Sequence, residues 1–162
     1  MGGTVEGIYI AERAGQPMHS VEAVTGEAYK GLVGDRHYRP RGGPTSKGKR
    51  GEVQDLSLVE AEVLELLLDE HGIGLAGHET RRNVLVRGVR LNDLIGKRFK
   101  LGGLLCEGIE ICQPCSHMQK KVGKPILKPL VHRGGLRARI LESGTIRVGD
   151  SIALVPEAIP AS

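Results

Sequence analysis

Short β-rich runs return along the chain, at residues 5–10, 21–24, 83–86, 98–101, 104–111, 136–141 and 151–155, with glycine or aspartate turns between them. Short strands spaced this evenly fit a closed or nearly closed β-barrel better than a doubly wound sheet. The predicted class is mainly β with a few helices (α+β). Glycine agrees: it fills 24 of 162 positions, roughly twice the usual share of about 7% and without a collagen-like period, as many tight turns require. At about 100 to 200 residues per domain, the length predicts a single domain over 1–162.

One helix carries clear local signals. Ser57-Leu58-Val59-Glu60 matches a capping box, so a helix is predicted from Ser57 to about His71, stopped by Gly72. Leu58, Val59, Val63, Leu66 and Leu67 recur at helical spacing as its buried stripe, with Glu60, Glu62, Glu65 and Asp69 facing water. Residues 39–51 (RPRGGPTSKGKRG) hold no apolar side chain beyond proline and predict a mobile surface loop acting as a flap or partner contact. Short helical turns are expected at 116–122 and 126–131.

The net charge is +4 and the pI about 9.1, which favours an anionic partner, and a small phosphorylated ligand suits that charge as well as a polymer does. Tyr9, Tyr29, Tyr38 and Phe99 are the only aromatic residues. Base-stacking platforms are therefore scarce, and no specific nucleic-acid binding is expected, the Lys47-Gly48-Lys49-Arg50 run included. The opening Met1-Gly2-Gly3-Thr4-Val5-Glu6 lacks a basic leader and an apolar core, and no apolar run is long enough to span a membrane. Three cysteines do not make a disulfide framework. The expectation is a reducing, cytoplasmic setting.

Two of those cysteines, Cys112 and Cys115, follow the 104–111 strand as Cys-Gln-Pro-Cys. A thiolate at a strand end can be a nucleophile or a metal ligand, its pKa lowered by nearby cations such as Lys120, Lys121, His132 and Arg133. Haem attachment fails because Ser116 stands before His117, and thioredoxin-like chemistry expects a βαβ context that this region lacks. A structural zinc held by Cys112, Cys115, His117 and His132 remains open, as does simple packing of two thiols. Cys106, alone in a strand, is read as packing. Two basic motifs accompany the cysteines. Thr80-Arg81-Arg82-Asn83 puts adjacent arginines at a strand entry, where one of them can point at an anion. His132-Arg133-Gly134-Gly135 pairs charge with glycines whose N–H groups can meet a phosphate.

In order, Gly31-Leu32-Val33-Gly34-Asp35-Arg36-His37, Thr80-Arg81-Arg82-Asn83-Val84, Cys112-Gln113-Pro114-Cys115, His132-Arg133-Gly134-Gly135-Leu136 and Gly144-Thr145-Ile146-Arg147-Val148-Gly149-Asp150 resemble the MOSC domain, named for the C-terminal domain of molybdenum cofactor sulfurase. The resemblance is closest to small bacterial stand-alone members and makes 1–162 a single MOSC domain with its core at about 5–154. It implies a barrel that binds the molybdenum cofactor (molybdopterin) and one essential cysteine, matched here by Cys115, as thiolate ligand to the metal or as sulfur carrier. It further implies that Asp35, Arg36, His37, Thr80, Arg81, Arg82, Asn83, His132 and Arg133 approach the cofactor. Arg36, Arg81 and Arg82 are expected to form an anion site facing Cys115.

The activity implied is a molybdenum-dependent oxidoreductase reducing small N-hydroxylated compounds, such as hydroxylaminopurines. An external electron donor protein is expected, since no ferredoxin module accompanies the domain. The alternative is a non-catalytic carrier delivering cofactor or sulfur to a partner enzyme. No cysteine desulfurase domain with pyridoxal phosphate precedes it, so a full cofactor sulfurase is not expected. Cys112 departs from the family pattern as an extra thiol.

Overall fold

The computed structural model describes residues 2–48, 51–112, 123 and 133–156. Period-two alternation builds its strands. In Arg98–Leu101 (β7 below), Phe99 and Leu101 point inward and Arg98 and Lys100 outward, the pattern of a sheet with one dry face. The described strands are β1 (Gly2–Ile10), β2 (His19–Ser20), β3 (Ala23–Glu27), β4 (Gly31–Leu32), β5 (Leu56–Glu60), β6 (Val84–Arg87), β7 (Arg98–Leu101), β8 (Leu104–Ile111), β9 (Leu136–Glu142), β10 (Gly144–Arg147) and β11 (Ser151–Leu154), with one α-helix, α1 (Ala61–His71), between β5 and β6.

Seven of these strands form a closed barrel in the order β11-β7-β8-β9-β5-β6-β1, shut by antiparallel pairing of β11 back onto β1. The expected barrel is thus present and fully closed. Its interior is one apolar cluster running from Val5 and Ile8 on β1 through Phe99 and Cys106 to Ile152 on β11. Cys106 sits wholly inside, and burial, its largest influence, pushes its thiol pKa well above the ordinary range. That is packing, as its place in the strand suggested. The three-stranded sheet β10-β3-β4 lies against the barrel and adds Val24, Leu32 and Ile146 to the same core.

Only β5 and β6 pair in parallel within the barrel. Parallel neighbours need a crossover, and α1 supplies it. The helix seats Leu67 with Leu75, flanked by Val63, Leu64 and Ile73. Gly72, left-handed at φ 67, ends it by donating to the carbonyls of Leu67 and Leu68, as the sequence predicts.

The predicted start of that helix is overturned. Ser57, Leu58, Val59 and Glu60 belong to β5, and the helix begins at Ala61 with no side-chain cap. Leu56, Leu58 and Val59 are each at most 4% exposed, so tertiary burial in the barrel wall overrides the local capping signal. Ser57 bonds Asn83 rather than its own helix, and the Glu60 carboxylate accepts the Leu91 N–H at 3.3 Å. Near the N-terminus, the strand expected at 21–24 is found further along, as β3 over Ala23–Glu27, with the two-residue β2 ahead of it, and β10 occupies residues read only as a turn.

Residues 39–48 carry polar anchors in place of apolar ones. Arg39 pairs with buried Asp55 at 3.0 Å. From β9, Arg139 donates to the carbonyls of Gly43 at 3.2 Å and Ser46 at 2.8 Å, and its guanidinium stacks over the Tyr29 ring at 5.8 Å. The expected turns at 116–122 and 126–131 lie outside the described residues. Among the described residues, no helix is long and apolar enough to cross a membrane.

Candidate functional site

The turn after β4 is organised by Asp35. Its carboxylate, almost fully buried, accepts the N–H of Ala11 at 3.1 Å and of His37 at 3.4 Å, and pairs with the Arg36 guanidinium at 3.1 Å. The Arg36 N–H in turn donates to the Ala11 carbonyl at 2.6 Å. The turn is therefore stitched to the end of β1.

Arg36 then reaches across to the second basic motif. Its guanidinium donates to Met18 Sδ at 3.0 Å and to the Arg81 carbonyl at 3.2 Å. Arg81 adopts a left-handed backbone at φ 64, rare for a residue with a side chain, and its own guanidinium donates to the Gln16 carbonyl at 2.5 Å. Burial first, and the Arg36 charge second, push the Arg81 pKa below its ordinary value, while Asp35 opposes them. Arg36 alone pairs with the carboxylate, and the Arg81 charge lies close by.

His37 lies beside them. Burial is the largest cause, then Arg36, and with Arg137 on β9 they lower its imidazole pKa to about 4 against the opposing charges of Asp35 and Glu52. At neutral pH it is uncharged, able to donate or accept one hydrogen bond. Arg137 and Glu52 were not picked out by the sequence reading. Arg137 follows the outward alternation of β9, opposite Ser57 and Glu110, but only the fold brings it to His37.

Thr80, Arg82 and Asn83 serve the frame. Thr80 donates its hydroxyl to the Gly77 carbonyl at 2.7 Å and accepts the Arg82 N–H at 3.1 Å. Asn83 accepts the N–H and hydroxyl of Ser57, each at 3.1 Å, and donates to the Tyr9 carbonyl at 3.1 Å, tying β5 and β1 together at the entry of β6. Arg82 turns away from Arg36 and donates to the carbonyls of Gly134 at 2.8 Å and Cys112 at 3.3 Å.

At the end of β8, Cys112 is buried and its N–H donates to the Gly135 carbonyl at 2.8 Å. Gly135 has φ 113, and a Cβ there would stand 2.1 Å from the Leu58 carbonyl oxygen, so only glycine fits against β5. Cys115, His117, Lys120, Lys121 and His132 lie outside the described residues, and Arg133 is described and exposed. Among the described residues no group of three or more His, Cys, Asp or Glu could hold a metal ion. The four motifs 35–37, 80–83, 112 and 133–135 nonetheless meet through Arg36, Arg81 and Arg82. A groove of about 670 Å³ lined by Lys97, Arg98, Glu107 and Leu154 involves none of them.

The fold resembles the crystal structure of the YuaD protein from Bacillus subtilis, with a TM-score of 0.80 and 20% sequence identity over 95% of this chain and 96% of that one. It also resembles YiiM from Geobacillus stearothermophilus (TM-score 0.71, 17% identity, 98% of this chain and 77% of that one) and YiiM from Escherichia coli (0.67, 15%, 98% and 71%). At these identities the likeness speaks for the fold alone. No curated protein sequence matches the chain. The MOSC domain family model aligns with residues 41–153, which takes in Thr80 to Asn83, Cys112 to Cys115 and the whole barrel wall from β5 to β9. Since that match runs across most of its length, this chain belongs to the MOSC domain family.

Proposed function

We propose that the protein binds the molybdenum cofactor and reduces small N-hydroxylated compounds with electrons from a separate donor protein. The observation that carries the reading is the closeness of two cations to one carboxylate: Arg36 pairs with buried Asp35, and the half-buried Arg81, whose guanidinium donates to the Gln16 carbonyl, lies near enough to feel the charges of both. Such an excess of positive charge suits an anionic group, as the phosphate of a pterin cofactor is. The donor set therefore fits the anionic end of the cofactor. At the metal end, Cys115 is the proposed thiolate ligand, and soft sulfur is chemically suited to molybdenum.

When bound, the cofactor supplies the two-electron couple that the reaction requires. The balance is one N-hydroxyl compound, two electrons and two protons giving one amine and one water. This chain's own residues bind and orient: Arg36 and Arg81 hold the anion, Asp35 fixes both the arginine and the turn, and Asn83 fixes the strand entry beside them. His37, neutral at working pH, would offer one hydrogen bond to water or substrate. Arg133 and His132 are proposed as further cationic contacts. A soluble donor in a cytoplasmic setting completes the proposal.

The test is metal and pterin analysis of protein made in a host that synthesises the cofactor, followed by reduction of a hydroxylaminopurine with a chemical reductant. Expected are molybdenum and pterin in equal amounts, turnover, and loss of turnover in a folded Cys115→Ser variant, with only partial loss in Cys112→Ser. Bound cofactor without turnover would instead favour the carrier. Zinc in place of molybdenum, lost equally from both cysteine variants, would overturn the reading altogether.

A further inference from the structure

Met18 is only 4% exposed, yet it belongs to neither apolar cluster. Its sulfur faces charge instead: Sδ accepts from Arg36 Nη1 at 3.0 Å, while the residues just before it, 12–17, are exposed. Two positions back, the Gln16 carbonyl accepts from the Arg81 guanidinium at 2.5 Å. The segment between β1 and β2 thus sends one acceptor to each of the two cations. Its other end is fastened as well, since the Ala11 N–H donates to the Asp35 carboxylate and the Ala11 carbonyl accepts the Arg36 N–H.

The chemistry of these acceptors decides what the segment does. Among the described residues, the partners of the two guanidiniums are the Asp35 carboxylate, the Arg81 and Gln16 carbonyls and the Met18 thioether. Only the first is charged. A carboxylate at position 18 would grip Arg36 more strongly, but it would cancel the positive charge that an anion requires. A thioether is a weak acceptor without formal charge, so it directs Nη1 and leaves that charge in place. Arg36 needs such direction, because its side chain is nearly buried and N–H groups taken from water without an acceptor are costly.

We infer that Met18 is a positioning residue: its sulfur holds the Arg36 guanidinium in the orientation that an anion meets, through a neutral acceptor that leaves the charge of the site uncompensated. The use made of that charge rests on the reading of Arg36 as an anion-binding group, but the positioning does not. His37 supplies an internal gauge. The charges that act on it are those of Asp35 and Arg36 on its own turn, Arg137 on β9 and Glu52, and Arg36 is the strongest of them. Released from Met18, the Arg36 guanidinium moves out toward water and away from the imidazole, which then takes up a proton more readily.

The test is an NMR titration of His37 in the full-length protein, comparing wild type, Met18→Leu and Met18→Gln. The imidazole signal is identified by its loss in His37→Gln, and thermal melting establishes that each variant is folded. Leucine keeps the bulk and apolar character of methionine without an acceptor, whereas glutamine restores a neutral one. Expected is a His37 midpoint raised by about half a unit or more in Met18→Leu and within about a fifth of a unit of wild type in Met18→Gln. An unchanged or lowered midpoint in Met18→Leu overturns the inference. Equal shifts in the two variants do so as well, because methionine would then act by packing alone. Should Met18→Gln fail to fold, Met18→Leu decides the matter. Should wild type unfold before its midpoint is reached, the Arg36 Nε–H signal at neutral pH decides it: sharp in wild type and broadened by exchange with water in Met18→Leu supports the positioning, and identical signals overturn it. Cofactor analysis that finds no molybdenum would defeat the reading of the site and leave these signals as they are.

Discussion

His37 shows how a single side chain reports on the charges packed around it. Its pKa of about 4 lies below the ordinary 6.5, with burial the chief cause and Arg36 and Arg137 adding to it against Asp35 and Glu52. Between these values the unfolded chain takes up a proton that the folded chain refuses, so His37 stabilises the fold above pH 6.5 and loses that contribution as pH falls toward 4. The slope from one such group is at most about 1.4 kcal/mol per pH unit. Urea unfolding at neutral and mildly acid pH should show wild type losing more stability on acidification than His37→Gln. Parallel losses in the two proteins would remove the imidazole from this account. At this scale the sequence was legible for residue type and poor for direction. Asp35, Arg36 and His37 could be singled out because a charged trio follows two glycines, but nothing in Thr80-Arg81-Arg82-Asn83 told which arginine faced Arg36 and which faced Cys112. That choice is made by the left-handed backbone of Arg81, which turns successive side chains apart.

Between residues and fold, β5 is the element that sequence reasoning misassigned. Ser57 and Glu60 have the spacing of a helix cap, and Leu58, Val63 and Leu67 keep helical period, so local signals run smoothly across the true boundary at Ala61. What breaks the pattern is non-local: Leu58 pairs with Val84 on one side and Leu136 on the other, and both partners are far away in sequence. Asn83 is the side chain that enforces this choice, since it satisfies the N–H and hydroxyl of Ser57 that a helix cap would otherwise have used. Asn83→Ala should therefore destabilise the fold by roughly 2 to 3 kcal/mol, because it strips partners from Ser57 and Tyr9 at a buried junction. Ser57→Ala should cost only about 1 kcal/mol, having removed one hydroxyl. Chemical denaturation measures both. Equal, small losses would mean that β5 is held by apolar burial alone. The strands β7 and β8, by contrast, were legible to the residue, because each alternates cleanly and is bounded by Gly102 and Gly103.

Closure governs the whole molecule. A seven-stranded barrel has no free edge only while its first and last described strands meet, and here Gly2, Gly3 and Thr4 of β1 pair with Ala153, Ile152 and Ser151 of β11. The pairing spans nearly the entire chain, so its loop-closure entropy is recovered only when the intervening strands are in place. Strand count and spacing made the barrel predictable. The seam was not, because register between distant strands is set by which faces bury and not by any local motif. Ile152 shows the consequence: it is wholly buried and belongs to the same cluster as Val5 and Phe99, so β11 completes the core as well as the hydrogen-bond ladder. Truncation before Ser151 should accordingly expose the edges of β1 and β7 and open the core between them, giving a chain without a cooperative unfolding transition that self-associates through its unpaired edges. Thermal melts and size-exclusion chromatography of the truncated chain test this directly. A monomeric truncated protein with a single sharp transition would show that six strands and the core suffice, and that the β1 to β11 seam is an addition to the fold instead of its final step.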